Sequence, residues 1–173
     1  MKTTVLKFGL ISGALAAALV VVWSILMSPG WAKWGEVIGY SGILVAALVI
    51  FFGVRSYREN VGGGAIGFGR ALGVGLLIAL VSAFCYMLTW ELLYFVFMPD
   101  LPEKLKICMT AKVQASSPTP EAAAAAVAKI SDMLKYYDNL LTSMPLVFME
   151  PLPVGLLVSL ISAAILRRKK AAA

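Results

Sequence analysis

Four long apolar stretches dominate the hydrophobic pattern of the chain, and shorter polar segments separate them. A helix needs about 20 apolar residues to cross the hydrocarbon core of a bilayer. Each stretch meets that length, so the pattern predicts four membrane-spanning helices. Their expected bounds are 8–27, 35–54, 71–98 and 144–166.

A polar segment, residues 99–143, lies between the third and fourth spans. Pro102 favours the start of one helix, and Pro118 favours its end. Thr119 is then a candidate N-cap for a second helix. That helix carries one apolar stripe with helical spacing: Val127, Ile130, Leu134, Tyr137 and Leu141. The segment is therefore expected to form a helical hairpin.

The composition of the whole chain also indicates a membrane protein. Hydrophobic residues make up 61% of the 173 residues and charged residues 14%, against roughly 25% charged residues in soluble domains. That leaves too little polar surface to cover a soluble core. The expected fold class is an all-α integral membrane four-helix bundle, a single domain in which the hairpin is an insertion.

The residue types that are missing limit the chemistry of the chain. It has no His and two Cys. Without His there is no imidazole base or metal ligand, and two isolated Cys do not give the spacing of a zinc or iron–sulfur site. We therefore expect no metal, no cofactor, no catalytic residue and no enzymatic activity.

The distribution of Lys and Arg predicts the orientation. Both termini and the loop between the second and third spans together carry nine cations and one acid, whereas the other side carries six cations and eight acids. Positively charged loops stay in the cytoplasm, so both termini are expected to be cytoplasmic and the hairpin extracytoplasmic. Because the cations flank apolar runs, the net charge of +6 does not indicate nucleic acid as a partner.

Three carboxylates fall at similar depths in the extracytoplasmic half of the spans: Glu36, Glu91 and Glu150. Acids in or near spans usually face the bundle interior or a wet cavity and often mark ion or proton pathways. They are therefore candidates for a cation or proton site. The alternative is that each acid lies at the membrane interface and ends a helix.

Two prolines, Pro151 and Pro153, follow Glu150 and interrupt the fourth span. Each removes a backbone donor and frees a carbonyl one turn earlier. An interrupted helix beside an acid builds ion sites in some transporters. A kinked packing helix is the alternative.

The loop between the second and third spans combines three arginines with three consecutive glycines: Arg55, Arg58, Arg70, Gly62, Gly63 and Gly64. Exposed backbone N–H groups and guanidinium donors favour a phosphate or an anionic lipid headgroup. The loop lacks the lysine pattern of a P-loop. A tight turn whose charges set the topology is the alternative.

Small residues recur every four positions in all four spans: Gly9 and Gly13, Gly35 and Gly39, Gly69 and Gly73, and Gly155, Ser159 and Ala163. This spacing lets helices approach closely. It predicts either a compact bundle or a homo-oligomer without choosing between them.

Several segments together resemble a known family: 7–14 (KFGLISGA), 35–40 (GEVIGY), 52–64 (FGVRSYRENVGGG), 68–75 (FGRALGVG), 94–100 (YFVFMPD) and 150–168 (EPLPVGLLVSLISAAILRR). They are similar to the small bacterial four-helix membrane proteins of domain-of-unknown-function family 4199. The resemblance implies a multi-pass protein of the bacterial cytoplasmic (inner) membrane with a variable outer segment. It implies no activity and no catalytic residue.

Two functional hypotheses follow from the sequence. The first is a non-enzymatic membrane component that acts through the lipid bilayer, a second copy or another membrane protein. The second is a small cation or proton transporter, or a channel subunit, that uses Glu91 and Glu150. The first is favoured because 173 residues in four spans without a repeat leave little room for an alternating-access pathway.

Overall fold

The computed structural model describes residues 1–26 and 34–168, without the side chains of residues 35 and 36. Within these ranges the chain forms seven α-helices. They are α1 (Lys2–Leu26), α2 (Gly35–Asn60), α3 (Phe68–Leu92), α4 (Leu101–Ser116), α5 (Pro120–Leu134), α6 (Leu140–Met149) and α7 (Leu152–Leu166). A π-helical turn, Leu93–Phe97, continues α3. The all-α prediction is confirmed.

Four helical segments of the described ranges are long and apolar enough to cross a membrane: Lys2–Leu26, Val37–Asn60, Phe68–Phe97 and Leu140–Leu166. They overlap the four predicted spans, and the first and fourth begin six and four residues earlier than predicted. The second extends six residues beyond its predicted end, because the polar sequence that follows Val54 remains helical. Residue 27, the predicted end of the first span, lies outside the described residues.

The fourth segment is interrupted where the prolines predict. Helix α6 ends at Met149, and α7 begins at Leu152 after Pro151. A proline has no N–H to donate and its ring crowds the preceding turn, so the helix cannot continue unbroken. Glu150 therefore lies at the break between the two halves of the span.

The other three spans pack around α3, which contacts α1, α2 and α7, while α2 also contacts α1 and α7. We call the end of the bundle that carries the start of α1, the end of α7 and the α2–α3 loop the terminal end, and the opposite end the hairpin end. One apolar cluster, which includes Val5, Val54 and Leu166, fills the terminal end. A second cluster, which includes Val20 and Trp90, fills the hairpin end.

Small residues account for the close approach of the helices within one chain. A Cβ atom added at Gly9 would lie 2.6 Å from Cβ of Val81, and one at Gly13 would lie 2.6 Å from Cβ of Cys85. In contrast, a Cβ atom at Gly73 meets no atom within 4 Å. The first of the four motifs is thus used for packing of α1 on α3 inside the chain.

Helices α4 and α5 contact each other and form the predicted helical hairpin. The Thr119 hydroxyl accepts a hydrogen bond of 3.2 Å from the Ala122 amide, which confirms the N-cap. The predicted apolar stripe is partly wrong, because α5 ends at Leu134. A tight turn follows, and Leu141 lies in α6, where it is 80% exposed.

Replacing Thr119 by alanine is expected to loosen α5 without disturbing the spans. The cap is worth about 1 kcal/mol, because it satisfies an amide at the helix start that otherwise has no acceptor. Hydrogen exchange of the amides at 122–126 should accelerate about fivefold. Thr119→Ser keeps the hydroxyl and is the control. Equal exchange in both variants would contradict the capping role.

Candidate functional site

A cavity of about 250 Å³ lies at the hairpin end, between α1, α2 and α3 and beneath the hairpin. It is partly open to the surroundings. Aliphatic and aromatic side chains form most of its walls, among them Leu19, Ile43, Trp23 and Trp90. The two tryptophan rings are 5.9 Å apart, centroid to centroid. We call this space the hairpin cavity.

Two polar side chains meet in the wall of the hairpin cavity. The hydroxyl of Tyr86 donates a hydrogen bond of 3.0 Å to Oε2 of Glu150. Tyr86 is buried, whereas Glu150 is exposed and lines the cavity. Because Glu150 occupies the break between α6 and α7, the proline interruption places a carboxylate beside a largely apolar space.

The hairpin supplies the roof of the cavity. Helix α4 contributes Leu105, Cys108 and Lys112, and Tyr137 follows α5. Burial raises the pKa of the Tyr137 phenol, and the nearby Glu150 carboxylate raises it further. The phenol therefore stays protonated at neutral pH. Cys108 is a buried free thiol, and Cys85 is also free.

Beneath the hairpin cavity, polar contacts continue for a short distance only. A void of about 20 Å³ is lined by Tyr86, Ser12 and Ser82 among others. The Ser12 and Ser82 hydroxyls are 2.9 Å apart, and Ser12 also donates to the Ala46 carbonyl at 2.8 Å. Toward the terminal end the core is mostly apolar, with Ile50 and Ile78 almost completely buried, and the buried polar residues there include Ser159 and Ser162 of α7.

The three candidate carboxylates have different surroundings. Glu91 is 6% exposed, and its Oε1 accepts a hydrogen bond of 2.8 Å from the Ser143 hydroxyl of α6. Glu91 does not line the hairpin cavity, whereas Glu150 does. The Glu36 backbone belongs to α2, but its side chain lies outside the described residues. Glu91 thus joins α6 to α3, and Glu150 faces the cavity.

The loop rich in arginine and glycine forms a compact turn. The Gly62 amide donates to the Tyr57 carbonyl, and the Gly64 amide donates to the Arg58 carbonyl, each at 2.9 Å. Gly63 and Gly64 have φ angles of 61° and 84°, a conformation that favours glycine. The loop therefore uses two of its three glycine amides to end α2.

The three arginines of this loop have different surroundings. Arg55 and Arg58 both bind Oε1 of Glu59, at 3.0 and 3.1 Å. Arg70 lies exposed in the first turn of α3. An isolated antiparallel bridge joins Ile66 to Arg168 and ties the loop to the end of α7. The described contacts close the terminal end of the bundle.

Sequence reasoning missed the hairpin cavity and the partners of the two span acids. Tyr86 and Ser143 are distant in sequence from Glu150 and Glu91, and no short pattern links them. One signal was present: Leu101, Leu105, Cys108 and Lys112 recur at helical spacing along α4. This stripe predicts that α4 packs against the bundle.

Comparison with known proteins gives one match. The family model described as "Protein of unknown function (DUF4199)" matches residues 7–168. No curated protein and no solved structure matches the chain. Among the described residues, no group of three or more Cys, Asp or Glu side chains is arranged to hold a metal ion.

Proposed function

The chain belongs to the DUF4199 family, and we propose that it is a non-enzymatic membrane protein that binds a lipid-like amphiphile in the hairpin cavity. The observation that carries the proposal is the cavity itself. It is largely apolar, partly open and about 250 Å³ in volume, many times the roughly 30 Å³ that one water occupies in the liquid. Apolar cavities with a few placed polar groups are typical of small-molecule sites.

The location of the cavity supports a ligand that comes from the bilayer. With the charge-based orientation, the cavity lies in the extracytoplasmic half, beneath the hairpin. Tyr86 is 18 residues from Phe68, the start of the third span, or about 27 Å at the rise of an α-helix. That depth is close to the outer boundary of a hydrocarbon core about 30 Å thick. An amphiphile of the outer leaflet spans this boundary.

Binding is expected to quench the fluorescence of the two tryptophans in the cavity. In a chain with Trp31→Phe and Trp34→Phe, the remaining tryptophans are Trp23 and Trp90. Titration of the detergent-solubilised protein with a bromine-labelled single-chain phospholipid should give saturable quenching, because heavy atoms then lie against both rings. The unlabelled phospholipid is the control and should compete. Quenching that grows linearly without saturation would indicate micelle partitioning and contradict the site.

A cation or proton transporter is the second candidate, favoured by the Glu150 carboxylate in the cavity wall. The core at the terminal end, around Ile50 and Ile78, favours binding over conduction because buried aliphatic side chains fill most of it. Proton or cation flux in proteoliposomes that is lost on Glu150→Gln would support transport. Flux equal to that of protein-free vesicles would contradict transport, and amphiphile binding would remain the proposed function.

A further inference from the structure

The terminal end of the bundle carries a large excess of positive side chains. Its described residues include seven cations and one acid, Glu59. The cations are Lys2, Lys7, Arg55, Arg58, Arg70, Arg167 and Arg168. Because Arg55 and Arg58 both bind Oε1 of Glu59, this acid is already matched. Within the described part of the chain, no acid neutralises the other five cations.

Contact between α3 and α7 places three of these cations at neighbouring positions. Arg70 lies in the first turn of α3, and Arg167 and Arg168 follow directly after α7. The backbone of Arg168 pairs with that of Ile66, which precedes α3, through hydrogen bonds of 3.0 and 2.9 Å. All three arginines are exposed. We call them the arginine group.

Exposed apolar side chains flank the arginine group. Phe68, in the same turn of α3 as Arg70, is 41% exposed. Ile165, in the last turn of α7, is 64% exposed. Both helices belong to segments that are long and apolar enough to cross a membrane. Arginines at the end of such a segment reach the lipid headgroups, while apolar side chains of the adjoining turn face acyl chains. The surface thus combines positive charge with an apolar margin.

An anionic phospholipid matches both parts of this surface. Like charges near one another repel, and an anion placed between them offsets that repulsion. Guanidinium groups bind phosphate through paired N–H donors. Inorganic phosphate or a nucleic acid would satisfy the arginines but would leave Phe68 and Ile165 in water. A phospholipid also supplies an acyl chain that covers them.

We propose that the arginine group binds the phosphate of an anionic phospholipid, one acyl chain of which lies against the flanking apolar side chains. The sequence groups Arg70 with Arg55 and Arg58, but these two are engaged with Glu59, and the fold brings the end of α7 beside Arg70 instead. The inference does not depend on the proposed function, because the hairpin cavity lies at the opposite end of the bundle.

Native mass spectrometry of the detergent-solubilised chain tests this inference. The chain is titrated with phosphatidylglycerol, which is anionic, or with phosphatidylcholine of the same acyl chains, which is zwitterionic. The first phosphatidylglycerol is expected to bind about tenfold more tightly than the first phosphatidylcholine. This preference should decrease as the ammonium acetate concentration rises, because salt screens exposed charges. Glycerol phosphate, which carries the phosphate without acyl chains, should not compete at the same concentration.

Changing the whole arginine group to glutamine is expected to reduce the preference for phosphatidylglycerol to less than about twofold. Lys106→Gln, Lys129→Gln and Lys135→Gln together are the matched control, because they remove the same charge from exposed positions at the hairpin end. This control should keep the full preference. Arg55→Gln should keep it as well, since Arg55 is engaged with Glu59.

Three results would overturn the inference. Equal binding of the two lipids by the unmodified chain would do so, and this reading does not require that the arginine variant folds. An equal loss of preference in the lysine control would show that net charge, and not the arginine group, sets the preference. Full competition by glycerol phosphate would show that the site takes a phosphate without a lipid chain.

Discussion

Replacing Gly155 with leucine is expected to lower the unfolding temperature of the bundle more than any other single change considered. A Cβ atom at Gly155 would lie 2.8 Å from Cβ of Ala79 on α3. The neighbour is a methyl group fixed to the helix backbone, so it cannot rotate away. Inserting larger groups into a packed core costs about 1–3 kcal/mol or more. In a chain of this size, 3 kcal/mol corresponds to a decrease of roughly 6–12 °C.

The measurement is thermal unfolding in detergent, followed by loss of helical circular dichroism or of the monodisperse gel-filtration peak. Gly73→Leu is the matched control, because its Cβ meets no atom within 4 Å. That variant should unfold within a few degrees of the unmodified chain. A decrease of the same size in both variants would show that helix contact at Gly155 does not limit stability.

The four spans were predictable because each segment that crosses a bilayer must be apolar along its own length. About 20 apolar residues must follow one another, and a local pattern is enough to detect that. The interruption at Pro151 was predictable for the same reason, since proline acts on its own turn. The end of α5 was missed because the periodic apolar residues continue past Leu134 while the backbone turns.

The candidate site depended on contacts that no local pattern encodes. Glu150 meets Tyr86 across 64 positions, and Glu91 meets Ser143 across 52. The sequence placed both acids at similar depth, but only the packing of α6 and α7 against α3 decides which of them faces a cavity. The small residues likewise predicted close approach, and the partners, such as Ala79 for Gly155, came from the fold.

These contacts divide the bundle into two structurally different halves. At the terminal end, close helix packing and the bridge between Ile66 and Arg168 hold the α2–α3 loop and the end of α7 together. At the hairpin end, α4 and α5 cover a space that the spans leave unfilled. The stability of the first half allows the second half to retain a cavity, because a void lowers stability through lost contacts.

Replacing Gly39 with phenylalanine is therefore expected to weaken amphiphile binding at least tenfold while the fold is kept. Gly39 lines the hairpin cavity, and a Cβ atom there meets no atom within 4 Å. A phenyl ring at this position is expected to extend into the cavity and to occupy the volume that the ligand needs. Glycine is also the poorest helix former after proline, so the substitution is expected to stabilise α2 by roughly 0.5 kcal/mol.

In the quenching titration, Gly39→Phe should weaken binding of the brominated phospholipid at least tenfold, since the ring and the acyl chain compete for the same space. The unfolding temperature should be unchanged or higher, which separates a blocked cavity from a damaged bundle. Gly39→Ala adds one methyl group and should retain binding. Gly73→Phe places the same ring on α3 away from the cavity and should also bind normally. Full binding by Gly39→Phe would mean that the amphiphile is held elsewhere on the protein, because a filled cavity cannot admit it.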